Sequence, residues 1–383
     1  MSLLKGFRVP QSRAVIGDAE IEAVVRTLRS GWLTSGPMVQ EFEAAFSDYL
    51  GGSVDAVSTN SNTLGLLIAM KALGIGPGDE VITTPTTFVA TALSAYHLGA
   101  RPVLADIDPV TLTLDPARVE AAVTPRTRLL LPVHLGGLAC DMQALYDIAA
   151  RRGLQVIEDA AHALPTTSGG RMVGADDRSA ATIFSFYATK SITTGEGGMV
   201  TTGDPDLAAR VRRLRLHGID RDAWSRDAWS YDVAEAGFKA NMTDIAAALG
   251  LVQLGRLDAM WRRRAEIATR YRAAFAGLPL TLPAEPAPGD KHAWHLYIVR
   301  LTQDAGLNRD RFIAAMAAQG IQCSVHYIPL YRHSFWRSAL ETDAKDFPHA
   351  EKAFASSVTL PLFAAMTDED VTAVIAAVQS ILA

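Results

Sequence analysis

Cysteine is nearly absent. The 383 residues hold two, Cys140 and Cys323, and no CxxC pair. That excludes a disulfide framework and a zinc-ribbon pattern, and it fits a reducing compartment. No run reaches the ~18 apolar residues that a membrane span needs, and residues 1–10 hold no apolar stretch of signal-peptide length. Basic blocks are lacking too. Lys and Arg number 36 against 41 Asp and Glu, a net charge of −5, which argues against nucleic acid as the main partner. There is no internal repeat and no low-complexity tract. The expectation is a soluble cytoplasmic protein with no metal, membrane or nucleic-acid partner.

Core-forming residues are plentiful: 49% of the chain is hydrophobic. The length exceeds one typical domain and predicts two lobes. Strand patterns over 56–58, 81–84, 102–105, 129–133 and 154–157 alternate with helical patterns over 18–29, 39–50, 64–73, 88–97 and 142–152. Asp18 reads as the cap of the first helix. Such alternation predicts an α/β fold with a mainly parallel sheet sandwiched by helices. The character changes after Asn241. Long helices over 243–258 and 261–275 precede a stretch with four prolines in residues 279–288. Smaller elements follow, with a strand over 296–301 and helices over 310–319 and 367–382. We therefore expect a large domain over 1–250 and a smaller α/β domain over 251–383.

Lys190 stands in Phe184-Ser185-Phe186-Tyr187-Ala188-Thr189-Lys190, and Thr194-Gly195-Glu196-Gly197-Gly198 follows. Burial disfavours a charged amine, and the neutral amine is a nucleophile that condenses with an aldehyde. A lone lysine in this setting more often snorkels to solvent, so its neighbours decide. Asp159 falls at the C-terminal end of the strand before Ala160-Ala161-His162, where open α/β sheets bind ligands. It suits a protonated ring nitrogen, or simply caps the next helix. Ser61-Asn62-Thr63 opens a helix whose free N–H groups suit a phosphate, with Thr63 and the Leu64 N–H as contacts; plain N-capping is the alternative. Phe88, after a strand, suits stacking on a flat ring or a place in the core. Ser185 suits a phosphate, and His162 either a phenolic oxygen or the core. Phosphate loop, stacking aromatic, aspartate and lysine, in that order, describe a pyridoxal phosphate (PLP) site.

These residues carry a resemblance. The chain resembles the DegT/StrS-type nucleotide-sugar aminotransferases, a branch of the fold-type I PLP enzymes, over nearly its whole length. The matching runs are Gly31-Trp32-Leu33-Thr34-Ser35-Gly36-Pro37, Gly76-Pro77-Gly78-Asp79-Glu80-Val81-Ile82, Pro132-Val133-His134-Leu135 and Ile157-Glu158-Asp159-Ala160-Ala161-His162. Phe184-Ser185-Phe186, Gly195-Glu196-Gly197-Gly198 and Leu214-Arg215-Leu216-His217-Gly218 continue the series.

The resemblance implies roles. Lys190 is the Schiff-base lysine and the shuttle for the proton, and Asp159 partners the ring nitrogen. His162 stands beside the phenolic oxygen and Phe88 stacks. Thr63, Leu64 and Ser185 contact the phosphate, as does Lys239, on a loop that reaches the partner's site in a homodimer. Trp32, Thr34, His326 and Tyr327 face the substrate. The implied reaction moves the amino group of L-glutamate onto a nucleotide-linked keto sugar.

Many members have Gly at the Asn62 position, Asn at Lys239 and Arg at Asn241. The Lys239-Ala240-Asn241 version, with Asp222-Ala223-Trp224, His292-Ala293-Trp294-His295-Leu296 and Leu360-Pro361-Leu362-Phe363, resembles the branch that aminates UDP-4-keto-L-arabinose. Val325-His326-Tyr327-Ile328-Pro329 is closer to the wider family. Two other readings share the fold: a nucleotide-sugar dehydratase using the pyridoxamine form (PMP), and a non-catalytic regulatory relative. Dehydrating relatives carry histidine at the lysine position, so Lys190 points to amination.

Overall fold

The computed structural model describes residues 6–220 and 230–382; the Asp222-Ala223-Trp224 stretch lies outside the described residues. Short aliphatic and β-branched runs make the strands of the large sheet. They are β1 (Asp55–Thr59), β2 (Glu80–Thr83), β3 (Arg101–Leu104), β4 (Thr127–Leu131) and β5 (Gln155–Asp159). A small hairpin, β6 (Thr167–Ser168) and β7 (Arg171–Met172), precedes β8 (Ala181–Ser185) and β9 (Gly198–Thr202). The sheet order is β1-β9-β8-β5-β4-β2-β3. β9 runs antiparallel to both β8 and β1, and the other strands are parallel. β2 and β9 are buried along their whole length, as a sheet covered on both faces requires. Pro102, which lacks a ladder donor, stands on the edge strand β3.

The predicted α/β architecture is present, and its differences are local. β9 was not among the expected strands: Gly197 and Gly198 mask its start, and the Thr201-Thr202 end shows little alternation. Helix Asp18–Ser30 is entered from Gly17 rather than capped by Asp18, because Glu20 Oε2 reaches back to accept from the Gly17 N–H at 2.9 Å. The acidic pair Glu158 and Asp159 lies inside β5 as its last two residues.

A second core forms around the antiparallel sheet β10 (Leu280–Thr281), β11 (Tyr297–Leu301) and β12 (Ser357–Leu360). Helices Leu257–Phe275, Arg309–Ala318 and Asp368–Leu382 cover it with Ile267, Tyr271, Phe312 and Val374. Val9 is buried in the same core and donates its N–H to Gly320 O at 3.0 Å. Helix Asp244–Gly255 packs on Asp18–Ser30 and Pro37–Tyr49 instead, beside the large sheet. Among the described residues no helix is long and apolar enough to cross a membrane.

The parallel strands end on one edge, and the chain reverses there into Ser61, Pro85, Ala160 and Phe186. The approach is close. A Cβ on Gly198 would stand 2.7 Å from both Asn62 N and Ser61 C, which are backbone atoms with no room to yield. Replacing Gly198 with alanine should destabilise the fold by about 1–3 kcal/mol through overpacking. Gly255→Ala, where nothing lies within 4 Å, should be neutral or stabilising. Urea titration of both variants checks this, and equal midpoints would contradict it.

Candidate active site

Side chains alternate along a strand, so Glu158 and Asp159 leave β5 on opposite faces. Glu158 enters the core, where His134 Nε2 lies 2.7 Å from Oε2 and Tyr146 Oη 3.0 Å from Oε1. Ser179 also donates to it. Burial alone would raise this carboxyl; the hydrogen bonds outweigh it and hold the group below its usual range. His134 Nδ1 accepts from the Cys140 N–H at 3.1 Å, so its proton sits on Nε2 and points at Glu158.

Asp159 faces the cleft with 4% of its surface exposed. Oδ2 accepts from Thr91 Oγ1 at 2.8 Å, and Oδ1 from the Ala161 N–H at 3.1 Å and Asn62 Nδ2 at 3.4 Å. Burial raises its pKa, and the hydrogen bonds and the Lys190 charge only partly oppose that rise. Thr91 was missed by the sequence reading. Its signal was the run Thr83-Thr84-Pro85-Thr86-Thr87, and Thr87 Oγ1 lies 2.8 Å from Thr91 Oγ1 one helical turn on.

Helix Asn62–Ala72 begins beside Asp159, with Thr63 in its first turn. Ser61 Oγ caps it by accepting from the Leu64 N–H at 3.2 Å, so the capping alternative holds for this one donor. The first N–H groups of a helix have no intrahelical partner, and here they face the sheet edge. Asn62 Nδ2 also donates to Ile183 O at 3.1 Å, which straps the helix start to β8. Arg215 Nη1 donates to Ser58 O at 2.7 Å and pairs with Glu43, fixing the end of β1.

Ser185 ends β8, and its Oγ accepts from the Tyr187 N–H at 3.4 Å. A turn then carries Lys190, whose N–H donates to Tyr187 O at 2.9 Å. Burial pushes the Lys190 amine down to about 8, with the nearby Asp159 carboxylate acting in the opposite sense.

The other wall comes partly from the second core's loop. His162 Nδ1 accepts from the Gly136 N–H at 3.2 Å, and its Nε2 lies 3.1 Å from Tyr327 Oη. Burial, with Lys190 and two neighbouring histidines, lowers His162 far below its usual range. The ring is therefore neutral with its proton on Nε2, donating to Tyr327. The Tyr327 hydroxyl keeps its own proton to offer; burial and Asp159 raise its pKa. His326 Nδ1 lies 2.9 Å from Thr359 Oγ1, and burial with Lys190 pushes His326 down to about 4. Phe88 is 58% exposed, with its ring centroid 6.1 Å from that of Tyr327.

Other predicted residues lie farther along the same face. Lys239 is exposed, and its carbonyl accepts from Asn60 Nδ2 at 3.4 Å. Asn241 Nδ2 donates to Thr34 Oγ1 at 3.1 Å and Ser35 Oγ at 2.7 Å, tying down the loop that carries Trp32, itself 44% exposed. Asp244 accepts from the Gly36 N–H at 2.5 Å and holds the same loop. Among the described residues no group of three or more His, Cys, Asp or Glu is placed to hold a metal.

The donor set fits PLP. It offers a helix N-terminus for phosphate, a buried carboxylate for a protonated ring nitrogen, an exposed aromatic for the ring face and a lysine of lowered pKa for the aldehyde. In cofactor-free protein, trapping of Lys190 by an aldehyde and borohydride should rise with a midpoint near pH 8, because only the neutral amine reacts. Asp159→Asn should shift that midpoint lower, since the carboxylate supports the ammonium form. Peptide mapping across pH 6–11 measures both, and a midpoint near 10.5 would mean a solvated amine.

Relatives share this fold. The chain is 48% identical over 380 residues to the spore coat polysaccharide biosynthesis protein SpsC of Bacillus subtilis, across 98% of this chain and 97% of that protein. Spr1654 of Streptococcus pneumoniae, solved in apo, PLP and PMP forms, is 34% identical. Its PMP form gives a TM-score of 0.91 over 98% of this chain and 99% of that one. Helicobacter pylori PseC, an aminotransferase of pseudoaminic acid biosynthesis, gives 0.92 at 29% identity over 99% of both chains. The cofactor is PLP or its amino form, PMP. Residues 14–379 match the family model, and the chain belongs to the DegT/DnrJ/EryC1/StrS aminotransferase family as a PLP-dependent sugar transaminase.

Proposed function

We propose that the enzyme transfers the amino group of L-glutamate to carbon 4 of a keto sugar carried on a nucleoside diphosphate, with UDP-4-keto-L-arabinose as the leading candidate. The observation that carries the transamination is the convergence of Asp159, Lys190 and the start of helix Asn62–Ala72 on one sheet edge. The 4-keto UDP-sugar rests on the Lys239-Ala240-Asn241 resemblance. Polysaccharide and pseudoaminic acid synthesis in the relatives supports an amino sugar as product.

When bound, PLP supplies an electron sink and a carrier for the amino group. Lys190 holds the aldehyde and then, as a free amine of lowered pKa, takes and returns the proton at the reacting carbon. Asp159 keeps a proton on the ring nitrogen. Thr91 and the Ala161 N–H fix the orientation of that carboxylate. The helix start, with Thr63 and Ser185, binds the phosphate, while the Leu64 N–H is spent on the Ser61 cap; Phe88 covers the ring. His162 orients Tyr327, whose hydroxyl faces substrate together with His326. Trp32 and Thr34 line the approach. The working unit in this reading is a homodimer, with Lys239 reaching the partner's phosphate. The exposure of Phe88, Trp32 and Lys239 in the single chain supports a second subunit at the cleft.

Three outcomes test the reading. Lys190→Ala should lose the visible absorbance of the lysine-bound cofactor and all measurable turnover. Thr91→Val should retain PLP and lower kcat by about tenfold, one charged hydrogen bond's worth. Keto sugars generated in situ with glutamate should give a 4-amino product by NMR and mass spectrometry. Turnover in Lys190→Ala would overturn the mechanism, and a dehydrated product would overturn the reaction class.

A further inference from the structure

Arg264 lies on helix Leu257–Phe275 with 5% of its surface exposed. Its Nη2 donates to Ser191 O at 2.8 Å, on the residue after Lys190. Its Nη1 is buried and meets no acceptor among the described residues. No carboxylate of the described residues pairs with the guanidinium, and burial alone pushes its pKa down to about 10. A buried cation without a counter-charge is costly, and the cost is met by an ion or by polar groups that reach it.

Arg264 lines a cavity of about 20 Å³ behind the Lys190 turn. Three basic residues border it, Arg13, Lys190 and Arg264, and no Asp or Glu does. That imbalance stands out in a chain where acidic residues outnumber basic ones by 41 to 36. A cavity needs at least about 10–15 Å³ to admit one water-sized particle, so the volume suits a single small occupant. A water would accept from Nη1 and leave the charge uncompensated. A monovalent anion accepts from Nη1 and also offsets the charge. His295, also on the wall, is held neutral by burial, so it adds no opposing charge and has a ring N–H to offer.

We propose that this cavity binds one small monovalent anion of halide size, held by Arg264 against the Lys190 turn. The anion offsets the guanidinium and favours the protonated form of the neighbouring Lys190. Through the Arg264–Ser191 contact it steadies the backbone that presents the lysine. The crystal test below reads the anion itself, so its outcome is separate from that of the proposed reaction.

Crystals grown in sodium bromide test it directly. An anomalous bromine peak within hydrogen-bond distance of Arg264 Nη1 is the expected result. A water at that point, or bromide only at surface positions, overturns the proposal. In solution, the protein as purified should melt roughly 2 °C higher in chloride than in gluconate of equal ionic strength, with a saturating dependence. Arg264→Met should lose the saturable part. The same saturable rise in that variant would also overturn it. Should Arg264→Met fail to fold, the bromide crystal of the unaltered protein still decides.

Discussion

Everything at this site hangs on how the Asp159 carboxylate is satisfied. It ends a buried strand and is itself almost inaccessible to water. A carboxylate so placed protonates or moves unless the protein supplies donors. The donors come from three separate elements: Thr91 from the helix Ala90–His97, Asn62 from the phosphate-side helix, and the Ala161 N–H from the turn that follows. One carboxylate thus ties the strand, both flanking helices and the Lys190 turn into a single electrostatic unit.

The rest of the cleft is kept free of competing charge. His162, His295 and His326 are all lowered by burial, and Lys190 lowers each of them further. Tyr327 is held in its neutral form by burial and Asp159. Near neutral pH the wall facing the lysine is therefore a set of neutral rings with fixed hydrogen-bond directions. Lys190 remains the group whose charge changes most easily. A proton shuttle needs that condition, because its driving force then depends on its own pKa and the reacting carbon.

Much of this was legible in the sequence for physical reasons. Strands buried on both faces read as aliphatic runs, and helix starts show Ser, Thr or Asp at the cap. Those signals located β2, β4, β5 and the helix Met142–Arg152. Asp159, Lys190 and Ser61 to Thr63 were visible because chemistry places them at strand ends. The antiparallel β9 was hidden by the glycine at its start and by the weak alternation of Thr201-Thr202. Thr91 and Arg264 were hidden as well. Each is a polar residue on a helix, and its importance arises from a partner far away in sequence, Asp159 or Ser191. Asn241, singled out as a substrate-branch marker, holds the Thr34–Ser35 loop within its own subunit.

Glu158 and Asp159 sit side by side and project to opposite faces of β5. A slip of one residue would send each to the other face, because every side chain on the strand would change sides. Glu158 would then stand at the cleft, a methylene longer than the donors of Thr91 and Ala161 allow. Asp159 would turn away from Thr91 and Asn62, its donors in the cleft. Two buried charges would lose their partners at once. The pair therefore adds an electrostatic cost to any misalignment of β5, since each carboxylate finds its donors on one face alone.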